Sequence, residues 1–441
     1  MQNKKIDITF VAVNQRIMTI LDFVAVLYDQ RDEVKALMAT PLCSRAEEKE
    51  LELSSPLAQV VIGVRRSGKS TLCLKFLNER GIDFAYVNFD DDRLHNVVTE
   101  DLNNILNALY QVYGDFKYLF IDEIQNVEGW QLFVNRLLRQ RLHIFITGSN
   151  SKLLSNELTT HLTGRHIRIE MFPFSFAEYC SATGVDTQSL TTKADALRQK
   201  ALGDFLLDGG FPELLHTTRK RPYIDTLLNA IIKDDIAKRF KVRHVDVLAN
   251  LANHLADNFC QEFRPKEVAE AFGVSAPTIS TYYSYLKEAF LLLGIHKFSY
   301  KSRERIRNEK VYVVDTAFVQ HRDNTFSTQN LGWRLENIIY IELLRRCRPQ
   351  FIDVFYYRCA QWEVDFVVAQ GGRVVSLLQV CYNVSVEKTL NRELRGLVKA
   401  SEKFGCDDLT LITADQTDTI NKAGKTIHIV KATDWLLQQN R

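Results

Sequence analysis

Between residues 58 and 172 the chain alternates short, almost wholly apolar runs with stretches that carry apolar residues at helical spacing. The runs are "AQVVIGV", "FAYVNFD", "YLFIDE", "HIFITGS" and "HIRIEMF". Consecutive apolar side chains without polar alternation suit parallel strands covered on both faces. Strands and helices taking turns predict an α/β fold, a doubly wound parallel sheet over residues 56–180. Upstream, "RIMTILDFVAVLYDQRDEVKALM" has a helical period and runs into the charged "RAEEKELELSS". Residues 1–55 are therefore expected to form a packing helix and a solvated linker.

Residues 181–240 lose the strand-like runs. "ALRQKALGDFLLDGGFPELL" and "YIDTLLNAIIKDDIAKRF" predict amphipathic helices, read as a helical lid. Over 241–320 the pattern gives two helices, a short turn, another helix and a hairpin. Within it, "FRPKEVAEAFGVSAPTISTYYSYLKEA" reads as a helix, a turn at Gly273, and a second helix capped by Ser275 with Pro277 in its first turn. Ile279, Tyr283 and Leu286 fall on its inner stripe. Thr278, Ser280, Thr281 and Ser284 fall outside, where a recognition helix makes its DNA contacts. Residues 321–441 return to mixed α and β, with a hairpin turning at Gly371 and Gly372.

At 441 residues the chain exceeds a single core, and the length suggests roughly three domains. A formal net charge of +2 draws no polyanion by itself, so only a local patch could. One candidate is 296–310, where Lys297, Lys301, Arg303, Arg305, Arg307 and Lys310 face only Glu304 and Glu309. The eight cysteines form no C-x-x-C pair and no Cys/His cluster, which fits reduced thiols and no structural metal. Asp7, Asn14 and Arg16 interrupt any signal-like apolar run, and "AFLLLGI" is too short to span a bilayer. The expectation is a cytoplasmic protein with no membrane partner.

The chemistry is concentrated at the strand ends. "GVRRSGKST" (Gly63, Val64, Arg65, Arg66, Ser67, Gly68, Lys69, Ser70 and Thr71) fits G-x-x-x-x-G-K-[ST] between a strand and a helix. Such a loop curls its backbone N–H groups around phosphates. Lys69 would meet the β and γ phosphates, and Ser70 would ligate magnesium. In "YLFIDEIQ", Asp122 would hold the magnesium and Glu123 would polarise the attacking water. Ser149 and Asn150, in "FITGSNSKLL", are candidates for sensing the γ-phosphate or orienting the water; a helix N-cap would use the same residues. Arg165 is a candidate cation for the transition state, acting across a subunit interface, against the alternative of a plain surface arginine. Arg65 and Arg66 either bind phosphate or line the loop, and Asp90, Asp91 and Asp92 read as a cap rather than a metal site.

"GVRRSGKST", "NFDDDRL", "YLFIDEIQ", "ITGSNSKLL", "LTGRHIRIEMFPFSFAEY" and "GGFPELL" appear in the order expected for the predicted AAA-type ATPases of bacteria and archaea, which the chain resembles over residues 16–441. That family joins an ATPase core to a C-terminal domain of unknown function. The resemblance implies ATP binding, an AAA-like core with a lid, and a winged helix after it. Further on, "WRLENIIYIELLRR" places Glu336 on a helix and "WEVDFVV" places Asp365 on a strand; with "LLQVCY" they resemble the PD-(D/E)xK nuclease core. Gln379 and Cys381 stand where that core needs a carboxylate and a lysine. The expected domain is nuclease-like and cuts nothing, although Glu336, Glu363 and Asp365 could hold a metal, or Arg358 could pair with one of them.

The expected function is ATP binding and hydrolysis with magnesium, with duplex DNA as a candidate partner and a homo-oligomer as a candidate assembly. An ATP-gated DNA-binding switch with negligible turnover is the alternative, and a nuclease stands third.

Overall fold

The apolar runs become the strands β1 (Ala58–Ile62), β2 (Phe84–Asn88), β3 (Tyr118–Asp122), β4 (His143–Gly148) and β5 (His166–Glu170). The structure, a computed structural model, describes residues 18–149, 162–301, 305, 309–322 and 330–438. The five strands are parallel, in the order β2-β3-β4-β1-β5. Their carboxyl ends therefore share one edge, where ligand sites of open α/β sheets form. Every side chain of β1 is buried. Its one polar residue, Gln59, is satisfied by the backbone of Glu52, whose N–H donates to Gln59 Oε1 at 2.8 Å.

The helix Ile20–Met38 starts at a reciprocal cap: Thr19 Oγ1 accepts from the Asp22 N–H, and the Asp22 carboxylate accepts from the Thr19 N–H. Buried Gln30 extends the sheet edge, its side chain exchanging two 3.0 Å bonds with the backbone of Asn88. The segment after this helix is not the solvated linker that its charges suggest. Arg45 and Glu47 are buried, because each finds an opposite charge or a carbonyl that neighbouring sequence does not reveal.

The next region is helical: Thr192–Asp208, then Lys220–Ala230 running through a π-helical turn, Ile231–Ala237, to Phe240. Between these helices lies "GGFPELL". Gly209 has φ +76°, and a Cβ there would strike the Asp315 carboxylate, which accepts from the Gly210 N–H at 2.8 Å.

A second unit follows: helix Val245–Asp257, β6 (Gln261–Glu262), helices Pro265–Phe272 and Ala276–Glu288, then β7 (Leu292–His296) and β8 (Glu309–Val313). Its sheet is antiparallel, in the order β6-β8-β7. Ile279, Tyr283 and Leu286 are buried, while Ser280, Thr281 and Ser284 are exposed and Thr278 partly so. The chain leaving β7 turns toward the last domain. Phe298 N donates to the Tyr356 carbonyl at 2.7 Å, and its ring packs on Phe355 and Phe404.

That last domain is a six-stranded mixed sheet: β9 (Asp353–Arg358), β10 (Glu363–Gln370), β11 (Arg373–Cys381), β12 (Leu409–Thr413), β13 (Asp418–Lys422) and β14 (Lys425–Lys431), in the order β13-β14-β12-β11-β10-β9. The β10–β11 turn uses Gly371 and Gly372 at φ +57° and +83°, the backbone of a two-residue hairpin. Side chains alternate between faces. Phe366, Val368 and Leu378 share a core with helix Leu331–Cys347, and Val367, Ala369 and Leu377 share one with helix Glu387–Phe404. Among the described residues no helix is long and apolar enough to cross a membrane.

Candidate nucleotide site

The loop after β1 is shaped by what lies beneath it. Gly63 has φ +153°, and a Cβ there would collide with the Met171 carbonyl, where the chain leaving β5 backs onto the loop. Gly68 has φ +96° and starts the helix Lys69–Glu79. Lys69 is buried, and its Nζ donates to the Val64 carbonyl at 3.0 Å; burial pulls its pKa down against the opposing pull of Glu123, Asp122 and Asp235. The Ser67 hydroxyl is buried without a hydrogen-bond partner. A polar, cationic loop with an orphaned hydroxyl and a lysine turned onto its own carbonyl suits an oxyanion.

Opposite the loop, Asp122 ends β3. Its Oδ1 accepts from Ser70 Oγ at 2.9 Å and from Thr147, and its Oδ2 accepts from Tyr86 OH at 3.1 Å. Burial, then Glu123, push its pKa up to about 6. The Ser70 hydroxyl and the Asp122 carboxylate form a hard oxygen pair of the kind magnesium takes. Glu123 follows in the left-handed region, φ 51° and ψ 39°, a conformation costly for a non-glycine residue and frequent at functional sites. It is fixed in place: Gln125 donates to its Oε2, and Ser149 offers both N–H and hydroxyl to that oxygen at 3.3 Å.

Arg65, Arg66, Gly68, Lys69, Ser70, Thr71, Asp122 and Glu123 thus line one cleft of about 340 Å3, together with Pro212 and Glu213 of the helical region. Arg65 pairs with Asp235 at 3.4 Å, and Arg66 with Glu213 at 3.1 Å. Burial raises the Asp235 pKa to about 7 despite Arg65. Asp91 caps the short helix Asp92–Leu94, while Asp90 faces the cleft. Asn150 lies outside the described residues. Arg165 does not join this site: its carbonyl accepts from Ala58 N at the amino end of β1, and its side chain bonds Asn135 at 3.1 Å. The length of a five-residue strand, roughly 16 Å, separates it from the phosphate loop of its own chain. Arg45, Tyr86, Thr147 and Asp235 escaped sequence reasoning because only tertiary contacts bring them to the site.

The last domain's acidic cluster is occupied by a lysine from β8. Lys310, counted in the basic segment from sequence, is mostly covered, its side chain 13% exposed, with Nζ 2.5 Å from Glu336 and 3.8 Å from Asp365. Burial opposes its charge, but Glu336 and Asp365 together outweigh that and hold its pKa above the ordinary value. Burial, then Glu336, push Asp365 well up. Gln379 accepts from Asp365 N at 3.2 Å and donates to Glu393 at 2.9 Å. Burial raises the Cys381 thiol to about 11. Glu363 lies outside the cluster, exposed and 3.6 Å from Arg358. Glu336, Glu363 and Asp365, which could have shared a metal, are not brought together for one, and among the described residues no group of three ligating side chains is placed for a metal.

Residues 55–180 match the AAA domain family, and residues 199–329 match a domain of unknown function, DUF8612. The latter spans the helical region and the three-stranded unit, not the six-stranded domain where the sequence reading put the unknown function. The uncharacterized protein MJ1544 of Methanocaldococcus jannaschii is 32% identical over 406 residues, covering 88% of this chain and 90% of its own. An uncharacterized protein of Haemophilus influenzae is 32% identical over 396 residues, covering 86% of this chain and 94% of its own. The Walker-type ATPase PABY2304 of Pyrococcus abyssi aligns with 63% of this chain and 95% of its own at 16% identity, with a TM-score of 0.39. The chain belongs to the family that contains MJ1544 and the Haemophilus protein, and it carries an AAA-type P-loop ATPase-like domain.

Proposed function

We propose that this protein binds ATP in the cleft between the phosphate loop, the end of β3 and the "GGFPELL" segment, and hydrolyses it. The observation that carries the reading is the pairing of Ser70 with Asp122 beside a Glu123 already held in place by Ser149 and Gln125. Lys69 would leave the Val64 carbonyl for phosphate oxygens. Arg65, Arg66, Ser67 and the N–H groups from Gly63 to Thr71 would surround the rest. Magnesium on Ser70 and Asp122 would neutralise charge on the phosphates. Glu123 would orient water and take its proton, with Ser149, and Asn150 on sequence grounds, at the γ-phosphate end. Arg165 could reach a phosphate only in a neighbouring copy of a homo-oligomer.

The division into core (56–180), lid (181–240), winged helix (241–320) and nuclease-like domain (321–441) belongs to this proposal. Helix–strand–helix–helix–hairpin order supports the winged helix, whose exposed Ser280, Thr281 and Ser284 favour DNA as a second ligand. The deciding experiment is phosphate release under multiple turnover, with and without duplex DNA. Wild type should turn over, Lys69→Ala should lose ATP binding, and Glu123→Gln should bind ATP without turnover. Equal turnover in wild type and Glu123→Gln removes the base assignment. ATP binding without turnover in wild type supports the nucleotide-gated switch.

A further inference from the structure

We propose that the last domain sets the shape of the phosphate loop through Arg345, and that Arg45 is the positioning residue that delivers this setting. The inference rests on the ATP-binding reading above.

Arg45 lies directly under the loop. Its guanidinium donates to the Ser67 carbonyl at 2.9 Å and to the Phe172 carbonyl at 2.6 Å. A Cβ added to Gly68 would sit 3.4 Å from the same guanidinium. In a planar trans peptide the carbonyl of one residue and the N–H of the next point in opposite directions. Holding the Ser67 carbonyl from below therefore aims the Gly68 N–H upward, into the cleft that Gly68 lines. A loop that binds phosphate by backbone N–H groups depends on peptide planes being held this way.

Arg45 is held in turn. Its Nε lies 3.1 Å from Glu178 and 3.9 Å from Glu47. The other oxygen of Glu47 meets Arg345 at 2.9 Å, on the helix Leu331–Cys347 of the last domain. Arg345 also donates to the Pro173 carbonyl, next to the Phe172 carbonyl that Arg45 takes. The two arginines thus grip consecutive peptides of the segment behind the loop, and their guanidinium groups lie over Phe174 and Phe172. Arg45, Glu47, Glu178 and Arg345 have side-chain exposures of only 4, 5, 7 and 8%. Water does not soften such contacts, so a shift at Arg345 is passed on rather than absorbed. Glu342 and Arg346, 2.8 Å apart, complete a network of three arginines and three glutamates with no net charge.

The test uses the full chain and ATP or ADP as the titrant. Glu47→Gln/Arg345→Gln removes one charge of each sign and leaves no lone buried ion. It should raise Kd for both nucleotides, and KM for ATP, by about tenfold, with kcat within about twofold of wild type. Adding Arg45→Gln should cost less than its effect alone, since the three residues act through one path. Arg345→Lys keeps the charge but loses the fork, so it should fall between wild type and the double variant. It also serves as the measurement if the double variant does not fold. A purely structural role would lower the melting temperature without moving Kd in the folded fraction. Unchanged Kd in the double variant, or in Arg345→Lys if that is the one that folds, overturns the relay. A wild type that binds no nucleotide overturns the ATP reading and the relay with it.

Discussion

Glu50 ends the short 3₁₀ helix Ala46–Glu50, half-buried near Glu47 and Glu170. Burial, then Glu47 and Glu170, raise its pKa to about 7 from an ordinary 4.5. Between those values the unfolded chain has released a proton that the folded chain still holds. Stability should therefore fall as pH rises from 4.5 to about 7 and level off above. Glu50→Gln should remove that fall, gaining about 1–2 kcal/mol at pH 8 once solvent screening of a half-exposed group is discounted. Denaturant unfolding at pH 5 and pH 8 checks it, and an equal gain at both would show that charge is not the cause. At this scale Lys69, Ser70, Asp122 and Glu123 were legible in the sequence because phosphate chemistry demands those residue types at that spacing. Arg45 was not: its neighbours in "SRAEEKE" are charged and polar, and only its distant partners bury it.

The five parallel strands were legible as elements because burial on both faces leaves a nearly pure apolar run. The two-residue β6 carries no such signal. The segment after β7 was read as a basic wing, yet Phe298 anchors its start on β9 and Lys297 lies over the Tyr357 ring. Removing that anchor with Phe298→Ala should cost about 3–5 kcal/mol, seen in denaturant unfolding, as for other buried aromatic truncations. With Lys297 and Lys310 turned inward, fewer cations remain for phosphates. Duplex DNA should bind weakly, with Kd on the order of 10⁻⁴ to 10⁻⁶ M at physiological salt and a shallow salt dependence. Neutralising Arg305, with Arg303 and Arg307 outside the described residues, should weaken it further in fluorescence anisotropy. No binding even at low salt would leave the unit a packing module.

Across the whole molecule, Lys310 ties β8 to the acidic cluster of the last domain, filling the charge role that the sequence left empty at Cys381. Lys310→Met should destabilise the protein by about 3–5 kcal/mol by leaving Glu336 buried without its cation. Plasmid and single-stranded DNA should stay intact with magnesium or manganese; cleavage lost in Asp365→Ala would move the protein into the nuclease class. A mixed final domain was legible, but its attachment was not, since Lys310 reads from sequence as one more surface charge. The contact between Glu47 and Arg345 spans 298 positions of chain. A ribosome adding about 5–20 residues per second takes roughly 15–60 s to cover that stretch. On the relay proposed above, a nascent chain therefore carries its phosphate loop for that interval without the residue that supports it, and the loop takes its binding shape only after Arg345 has been made.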